Sequence, residues 1–204
     1  MPARLRLALF VTGLLAVTAI AAVLLFAVGE KAVPAAGFAG ATRPPGIPPA
    51  ELGLHDEQGK AVRLAKMRGT PVVVTFLYTT CRDTCPLTAQ QIRIALDELG
   101  HDVPVVAVSV DPVNDTAPRA RAFALEQGLR GRMRWALGSE AELQRVWRTY
   151  GIQPQSDDAE HTASTILLDK RGVQRVGFAA SVLTPDALAH DLAILEREGD
   201  TGTS

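Results

Sequence analysis

The chain has 204 residues and a formal net charge of −1 at pH 7, so no excess of basic residues indicates a nucleic-acid partner. Its length fits one domain together with an appended segment. Only two cysteines occur, and a core of this size does not need them for stability, so their placement points to chemistry.

The N-terminal segment predicts a membrane anchor. Residues 7–28 carry no charge and would span roughly 33 Å as a helix, enough to cross a bilayer core. Arg4 and Arg6 precede this run, so the positive-inside rule places residues 1–6 in the cytoplasm. We therefore expect a single-pass protein of the inner (cytoplasmic) membrane, with its globular domain on the extracytoplasmic, periplasmic side. The alternative is a cleaved signal peptide, although its apolar core is usually shorter; either way the domain would lie in an oxidising compartment.

The remaining chain divides into a linker, a domain and a tail. Residues 29–50 are rich in Ala, Gly and Pro and predict a semi-rigid linker. Residues 51–198 are expected to form the globular domain, and residues 199–204 a flexible tail. Hydrophobic periodicity and capping signals in the domain predict the following elements: two short strands within 52–64, a strand at 71–78, a helix at 87–99 ended by Gly100, a strand at 103–110, a helix at 116–127, a strand at 133–137, a helix from the capping box of Ser139 and Glu142 to Tyr150, a hairpin of 165–169 and 173–178, and a helix from 184 to about 198.

This alternation predicts an α/β fold with a central mixed β-sheet flanked by helices. Cys81 and Cys85 directly follow the first core strand, which makes a thioredoxin-like fold the expected one. If a helix begins near Cys81, thiols four residues apart share one helical face, about 6 Å apart at Cα. Such a pair can form a disulfide or bind one metal ion, and the helix N-terminus lowers thiol pKa values. A purely stabilising disulfide is less favoured, because a five-residue loop removes little chain entropy.

His161 is the histidine expected to complete a metal site. It precedes the strand that starts near residue 165, and in a thioredoxin-like sheet that loop faces the dithiol. A thioredoxin usually has a cis-proline there, which this chain lacks. Two thiolates and an imidazole suit copper, since thiolates favour Cu(I) and imidazole helps to accommodate Cu(II), whereas zinc usually takes a fourth ligand. The other histidines are expected to be solvated or half-buried: His55, His101 and His190.

Two aspartates follow the second core strand. Asp111 lies at the carboxyl end of that strand, where the sites of α/β proteins gather, and is a candidate to support the dithiol without binding the metal. Its alternative role is to end the strand in a turn with Pro112. Asp115 is expected to cap the next helix. Arg82 and Asp83, between the cysteines, are expected to be exposed, where they can tune thiol pKa values or contact a partner.

Several separated motifs resemble the Sco/SenC family, membrane-anchored copper proteins that help to build the CuA centre of cytochrome c oxidase. The resemblance spans about residues 50–198 and rests on TTCRDTCP at 79–86, SVDPVNDT at 109–116, and His161 followed by LLDKRG at 167–172. It implies that Cys81, Cys85 and His161 bind copper. It also implies the oxidase subunit carrying the CuA site as a partner, with another copper carrier or a thioredoxin-like reductant as further candidates.

The chain departs from the family pattern beside the cysteines and beside the histidine. Arg82 follows the first cysteine where the family often has Pro, and Glu160 precedes the histidine where Asp is common. The family's aromatic residue shortly before that histidine is absent. No ligand is lost, so the departures concern the shape of the loop and the docking surface.

Three functions remain open from the sequence. The first is a copper metallochaperone, whose exposed thiolates of low coordination number suit ligand exchange. The second is a thiol–disulfide oxidoreductase that reduces the cysteines of the copper-accepting partner, although the wide cysteine spacing and the missing cis-proline count against it. The third is a thiol peroxidase, in which His161 would have no evident purpose.

Overall fold

The computed structural model describes Pro2, Thr18 and residues 37–45, 47, 51–153 and 163–198. The chain divides into two compact units, Met1–Ala35 and Ala36–Ser204. Apart from Thr18, the predicted anchor over residues 7–28 lies outside the described residues, as does the predicted tail. Within the described ranges, no helix has the length and apolar character needed to cross a membrane.

The described part of the second unit contains eight strands and four α-helices. The strands are β1 (Ala41–Thr42), β2 (Leu54–His55), β3 (Ala61–Val62), β4 (Val72–Leu77), β5 (Val105–Ser109), β6 (Met133–Ala136), β7 (Ser164–Leu168) and β8 (Gln174–Ala179). The helices are α1 (Thr84–Leu99), α2 (Ala117–Glu126), α3 (Glu140–Tyr150) and α4 (Pro185–Arg197).

Six strands form one mixed sheet in the order β1-β8-β7-β4-β5-β6, while β2 and β3 form a separate hairpin. β4 runs parallel to β5 and β5 parallel to β6, whereas β7 is antiparallel to both β4 and β8. All six residues of β4 are buried, as expected for a central strand covered on both faces. This arrangement confirms the predicted mixed sheet flanked by helices.

Each face of the sheet has its own apolar core. Successive side chains of a strand point to opposite faces, and Val73 and Leu77 accordingly pack in the core that α1, α2 and α4 cover. Phe76 belongs to the other core, which α3 closes with Leu143 and Trp147. The cysteines follow directly after β4, where the chain leaves this buried strand.

Local signals fix the helix ends. α3 begins with the predicted capping box, in which Ser139 and Glu142 each bond the backbone N–H of the other. α1 ends before Gly100, whose φ of 80° lies in the left-handed region that favours glycine. α1 begins at Thr84, earlier than the predicted start at residue 87, because the Asp83 carboxylate accepts a hydrogen bond from the Thr84 N–H and caps the helix.

Part of the predicted linker joins the sheet as β1, which pairs with β8. The N–H groups of Ala39 and Gly40 donate to the fully buried carboxylate of Asp191, at 2.7 and 2.9 Å. A Cβ at Gly40 would lie 2.5 Å from Val176 Cγ1, so the close approach of this segment requires glycine. This segment therefore belongs to the domain, which differs from the linker predicted over residues 29–50.

Candidate metal-binding dithiol site

The loop that carries the cysteines leaves the carboxyl end of β4, at the edge where the parallel strand β5 also ends. A buried carboxylate joins the two strand ends, because Asp115 accepts hydrogen bonds from the Thr79 N–H and the Ser109 Oγ, both at 2.6 Å. Asp115 is only 6% exposed. Burial raises its pKa, and the hydrogen bonds from Ser109 and Thr79 oppose that effect. Asp115 thus fixes the backbone two residues before Cys81.

Cys81 lies before α1 rather than within it. Its Sγ accepts a hydrogen bond from the Cys85 N–H at 3.2 Å. The Cys81 thiol also donates to Asp83 Oδ1 at 3.6 Å. The sequence predicted two thiols on one helical face; instead, the sulfur of the first cysteine lies against a free backbone N–H in the first turn of the helix. That N–H donates to the sulfur and holds it beside the first turn of the helix.

The two thiols differ in their access to solvent. Both cysteines are buried, with 8% of Cys81 and none of Cys85 exposed, so the expectation of exposed thiolates is wrong. Burial raises the pKa of the Cys85 thiol. Burial, and then a hydrogen bond with Cys81, likewise raises the pKa of Tyr78. The site therefore has one accessible sulfur and one that stays protonated until metal coordination or reaction removes its proton.

A cavity of about 400 Å³ opens onto Cys81 but not onto Cys85. Its lining includes Cys81 and Leu87 and, from the segments around β7 and β8, Ala163 and Ser181. β7 is antiparallel to β4, so the beginning of β7 lies at the edge where β4 ends. The prediction that the chain entering β7 faces the dithiol is confirmed as far as Ala163.

His161 lies outside the described residues, and its role as a ligand stays a prediction. Within the described part of the chain, no group of three His, Cys, Asp or Glu side chains could hold a metal ion. The described site contributes two sulfur donors, Cys81 and Cys85. Such donors suit a soft ion such as Cu(I).

The two aspartates after β5 have different partners. The Asp111 carboxylate accepts hydrogen bonds from the Asn114 N–H at 3.3 Å and Nδ2 at 2.8 Å, which closes the turn after β5. Support of the dithiol by Asp111 stays a prediction. Thr116 occupies the cap position of α2, and Asp115 bonds the cysteine loop instead. This contact is not evident from the sequence, because a helix cap explains Asp115 locally. The one available signal is that Asp115, like Asp111, follows a strand beside β4.

The three histidines within the described ranges do not line the dithiol cavity. His55 is exposed in β2. His101 is exposed, with Nε2 2.7 Å from Glu196 Oε1, and His190 is half-buried, with Nδ1 2.9 Å from the Asp191 carboxylate. These positions confirm that the three residues are solvated or half-buried. Arg82 and Asp83 are exposed, as predicted.

Comparison with known proteins identifies the family. Residues 49–195 match the model of the SCO1/SenC family. The chain belongs to this family. Among its SCO1/SenC relatives, SenC of Rhodobacter capsulatus is 28% identical over 185 residues, which cover 80% of this chain and 81% of SenC.

Solved SCO1/SenC structures share the fold. ScoI of Bradyrhizobium japonicum with copper bound is 29% identical, with a TM-score of 0.61 and coverage of 72% of this chain and 98% of that structure. ScoI of Arabidopsis thaliana with copper bound is 23% identical, with a TM-score of 0.65 and coverage of 73% and 98%. The predicted thioredoxin-like fold is thereby confirmed for the domain.

Proposed function

We propose that this SCO1/SenC protein is a membrane-anchored copper metallochaperone that binds copper through Cys81, Cys85 and His161 and assists assembly of the CuA site of cytochrome c oxidase. The observation that carries the proposal is the dithiol, in which Cys81 Sγ accepts the Cys85 N–H at 3.2 Å beside an open cavity of about 400 Å³. The two ScoI relatives described with copper bound support the choice of metal.

The donor set suits an ion that is bound and later handed over. Thiolates bind Cu(I), and the imidazole of His161 would also accommodate Cu(II). Because burial favours the thiol form of Cys85, copper uptake must release a proton there, so binding tightens as the pH rises. Because Cys81 lines the cavity, this ligand is within reach of an incoming donor from the acceptor protein.

The location and partners belong to the same proposal. Residues 7–28 would anchor the chain in the inner membrane and leave the domain on the periplasmic side. The copper acceptor is then the oxidase subunit that carries the CuA site. Another copper carrier would load the dithiol, or a thioredoxin-like reductant would keep it reduced.

The unequal exposure of the two thiols favours thiol–disulfide exchange as a second candidate function. The Cys81 thiolate would attack a disulfide of the copper acceptor and form a mixed disulfide, releasing one acceptor thiolate. Cys85, after losing its proton, would then attack Cys81 Sγ and release the second acceptor thiol. The acceptor disulfide gains two electrons, and the chain is left with a Cys81–Cys85 disulfide.

Anaerobic copper titration of the reduced full chain, followed by X-ray absorption, tests the metallochaperone. One copper per chain with two sulfur neighbours and one nitrogen is expected. His161→Ala should weaken Cu(II) binding at least tenfold, since it removes the only nitrogen donor. His55→Ala, at an exposed site, is the matched control. Unchanged copper affinity in His161→Ala would remove His161 from the site, and absence of stoichiometric copper with rapid disulfide reduction would favour the oxidoreductase.

A further inference from the structure

A groove of about 820 Å³ lies at the opposite edge of the sheet from the dithiol. Its lining includes residues 102–105, which lead into β5, and residues 130–134, which lead into β6. Because β4, β5 and β6 are parallel, this is the edge at which these strands begin. Cys81, in contrast, follows the edge at which β4 ends.

The groove is strongly basic although the whole chain has a net charge of −1. Among the described residues, its lining has only two that are acidic, Glu57 and Asp102. Against these stand six cationic side chains: Arg63, Lys66, Arg121, Arg130, Arg132 and Arg134. We refer to this feature as the basic groove.

Half of these cations have partners within the fold. Arg132 lies 2.7 Å from Asp102 and makes a second ion pair with Asp97 at the same distance. Arg121 donates to the backbone oxygen of Glu57 at 2.6 Å. Arg134 Nε lies 3.7 Å from Asp56 Oδ2, which makes a long ion pair. The other oxygen of Asp56, Oδ1, accepts two backbone N–H groups.

The other half have charged groups without a partner among the described residues. Arg63 and Lys66 come from the chain just before β4, and Arg130 from the loop before β6. All three side chains are exposed. A cluster of like charges on a concave surface raises the local concentration of an anionic ligand and attracts it from a distance.

The lining of the basic groove also contains apolar side chains. Val103 and Met133 are buried, and Leu125, from α2, is 58% exposed. A ligand that fits must therefore offer apolar groups as well as negative charge. A flat bilayer surface would not follow the concave groove, whereas an extended peptide can alternate carboxylates and apolar side chains.

We propose that the basic groove binds an acidic segment of a partner protein, in which carboxylates alternate with apolar side chains. The carboxylates bind Arg63, Lys66 and Arg130, and the apolar side chains contact Leu125. A partner held at this edge leaves Cys81 and its cavity free to contact another surface. The basic groove is thus a second interaction surface, separate from the dithiol.

Fluorescence anisotropy tests this proposal with the full chain in phosphatidylcholine nanodiscs and a labelled eight-residue peptide of alternating Glu and Leu. Saturable binding that weakens as salt is added is expected. The triple variant Arg63→Gln, Lys66→Gln, Arg130→Gln should weaken it about tenfold, since it removes three surface charge pairs. A control with the same change in net charge is Arg145→Gln, Arg148→Gln, Arg197→Gln, at exposed positions outside the groove; it should bind like the wild type.

Absence of saturable binding, or an equal loss in the control variant, would overturn the proposal. Vesicles containing phosphatidylglycerol provide the comparison with a membrane surface. If the triple variant lost vesicle binding while the peptide did not bind the wild type, the basic groove would be a lipid-binding surface and the proposal would fail. Copper uptake should be unchanged in the triple variant, because the basic groove and the dithiol lie at opposite edges; loss of copper uptake together with peptide binding would also count against it.

Discussion

Replacement of Asp115 tests whether a buried carboxylate positions the dithiol loop. Its two oxygens accept hydrogen bonds from the Thr79 N–H and the Ser109 Oγ, both at 2.6 Å. Asp115→Ala leaves both donors without this acceptor, and an unsatisfied buried polar group costs about 1–3 kcal/mol. Since the Ser109 hydroxyl can rotate, we expect the free energy of unfolding to fall by about 2–4 kcal/mol, with a smaller loss of about 1–2 kcal/mol for Asp115→Asn, which keeps one acceptor.

Tryptophan fluorescence during denaturant unfolding is a suitable assay, because both tryptophans of the chain are buried in the domain. The Trp147 Nε1–H also donates to the Ser109 backbone oxygen at 2.9 Å, so its emission reports on the strand end that Asp115 holds. Copper affinity, measured by competition with a chelator, should fall about tenfold in Asp115→Ala because the loop before Cys81 loses its anchor.

Asp97→Ala is the control, since Asp97 is an exposed acid paired with arginines. Surface pairs contribute little, so we expect a loss below about 1 kcal/mol and unchanged copper affinity. A loss of the same size in Asp115→Ala would refute the hydrogen-bond argument. A large loss of stability with full copper affinity would show that Asp115 stabilises the fold without positioning the dithiol.

Two further predictions concern β1 and the buried thiol. Gly40→Ala should destabilise the domain by about 1–3 kcal/mol, because the added Cβ would lie 2.5 Å from Val176 Cγ1. Ala39→Ser, at the neighbouring exposed position, is the control. Equal unfolding midpoints for the two variants would contradict the predicted steric clash. Burial raises the pKa of the Cys85 thiol in the folded state above its ordinary value of 9.0. The contribution of this thiol to the free energy of unfolding is therefore complete below pH 9.0. Above that pH the unfolded chain loses the proton first, and the free energy of unfolding falls by about 1.4 kcal/mol per pH unit. In the reduced, metal-free protein, Cys85→Ala should therefore flatten the fall in unfolding free energy above about pH 9, and slopes equal to the wild type would refute this reasoning.

The sequence predicts those elements whose signals are local. The β-branched run of β4 predicts a strand covered on both faces, and the structure has all six of its residues buried. The capping box at Ser139 and the glycine stop at Gly100 predict helix ends that the structure reproduces. Each signal lies within a few residues of the feature that it determines, so the sequence pattern is sufficient.

Other features depend on contacts between distant residues. β1 has only two residues, too few for periodicity, and its approach is held by Asp191, which lies 151 positions from Gly40. Asp115 presents the converse problem, since a local helix cap explained it completely while its actual donors lie in the loop after β4 and at the end of β5. Sequence pattern alone cannot choose between a local and a distant partner for the same carboxylate.

The register of β7 against β4 links the core of the sheet to the proposed copper site. Thr75 and Thr165 stand opposite each other, and their buried Oγ1 atoms lie 3.0 Å apart in strands that are otherwise mostly apolar. A shift by one residue would separate the hydroxyls and leave two polar groups unpaired in the core, which is costly. Cys81 comes six residues after Thr75, and His161 four residues before Thr165. The threonine pair therefore fixes the point from which both proposed ligand segments leave the sheet.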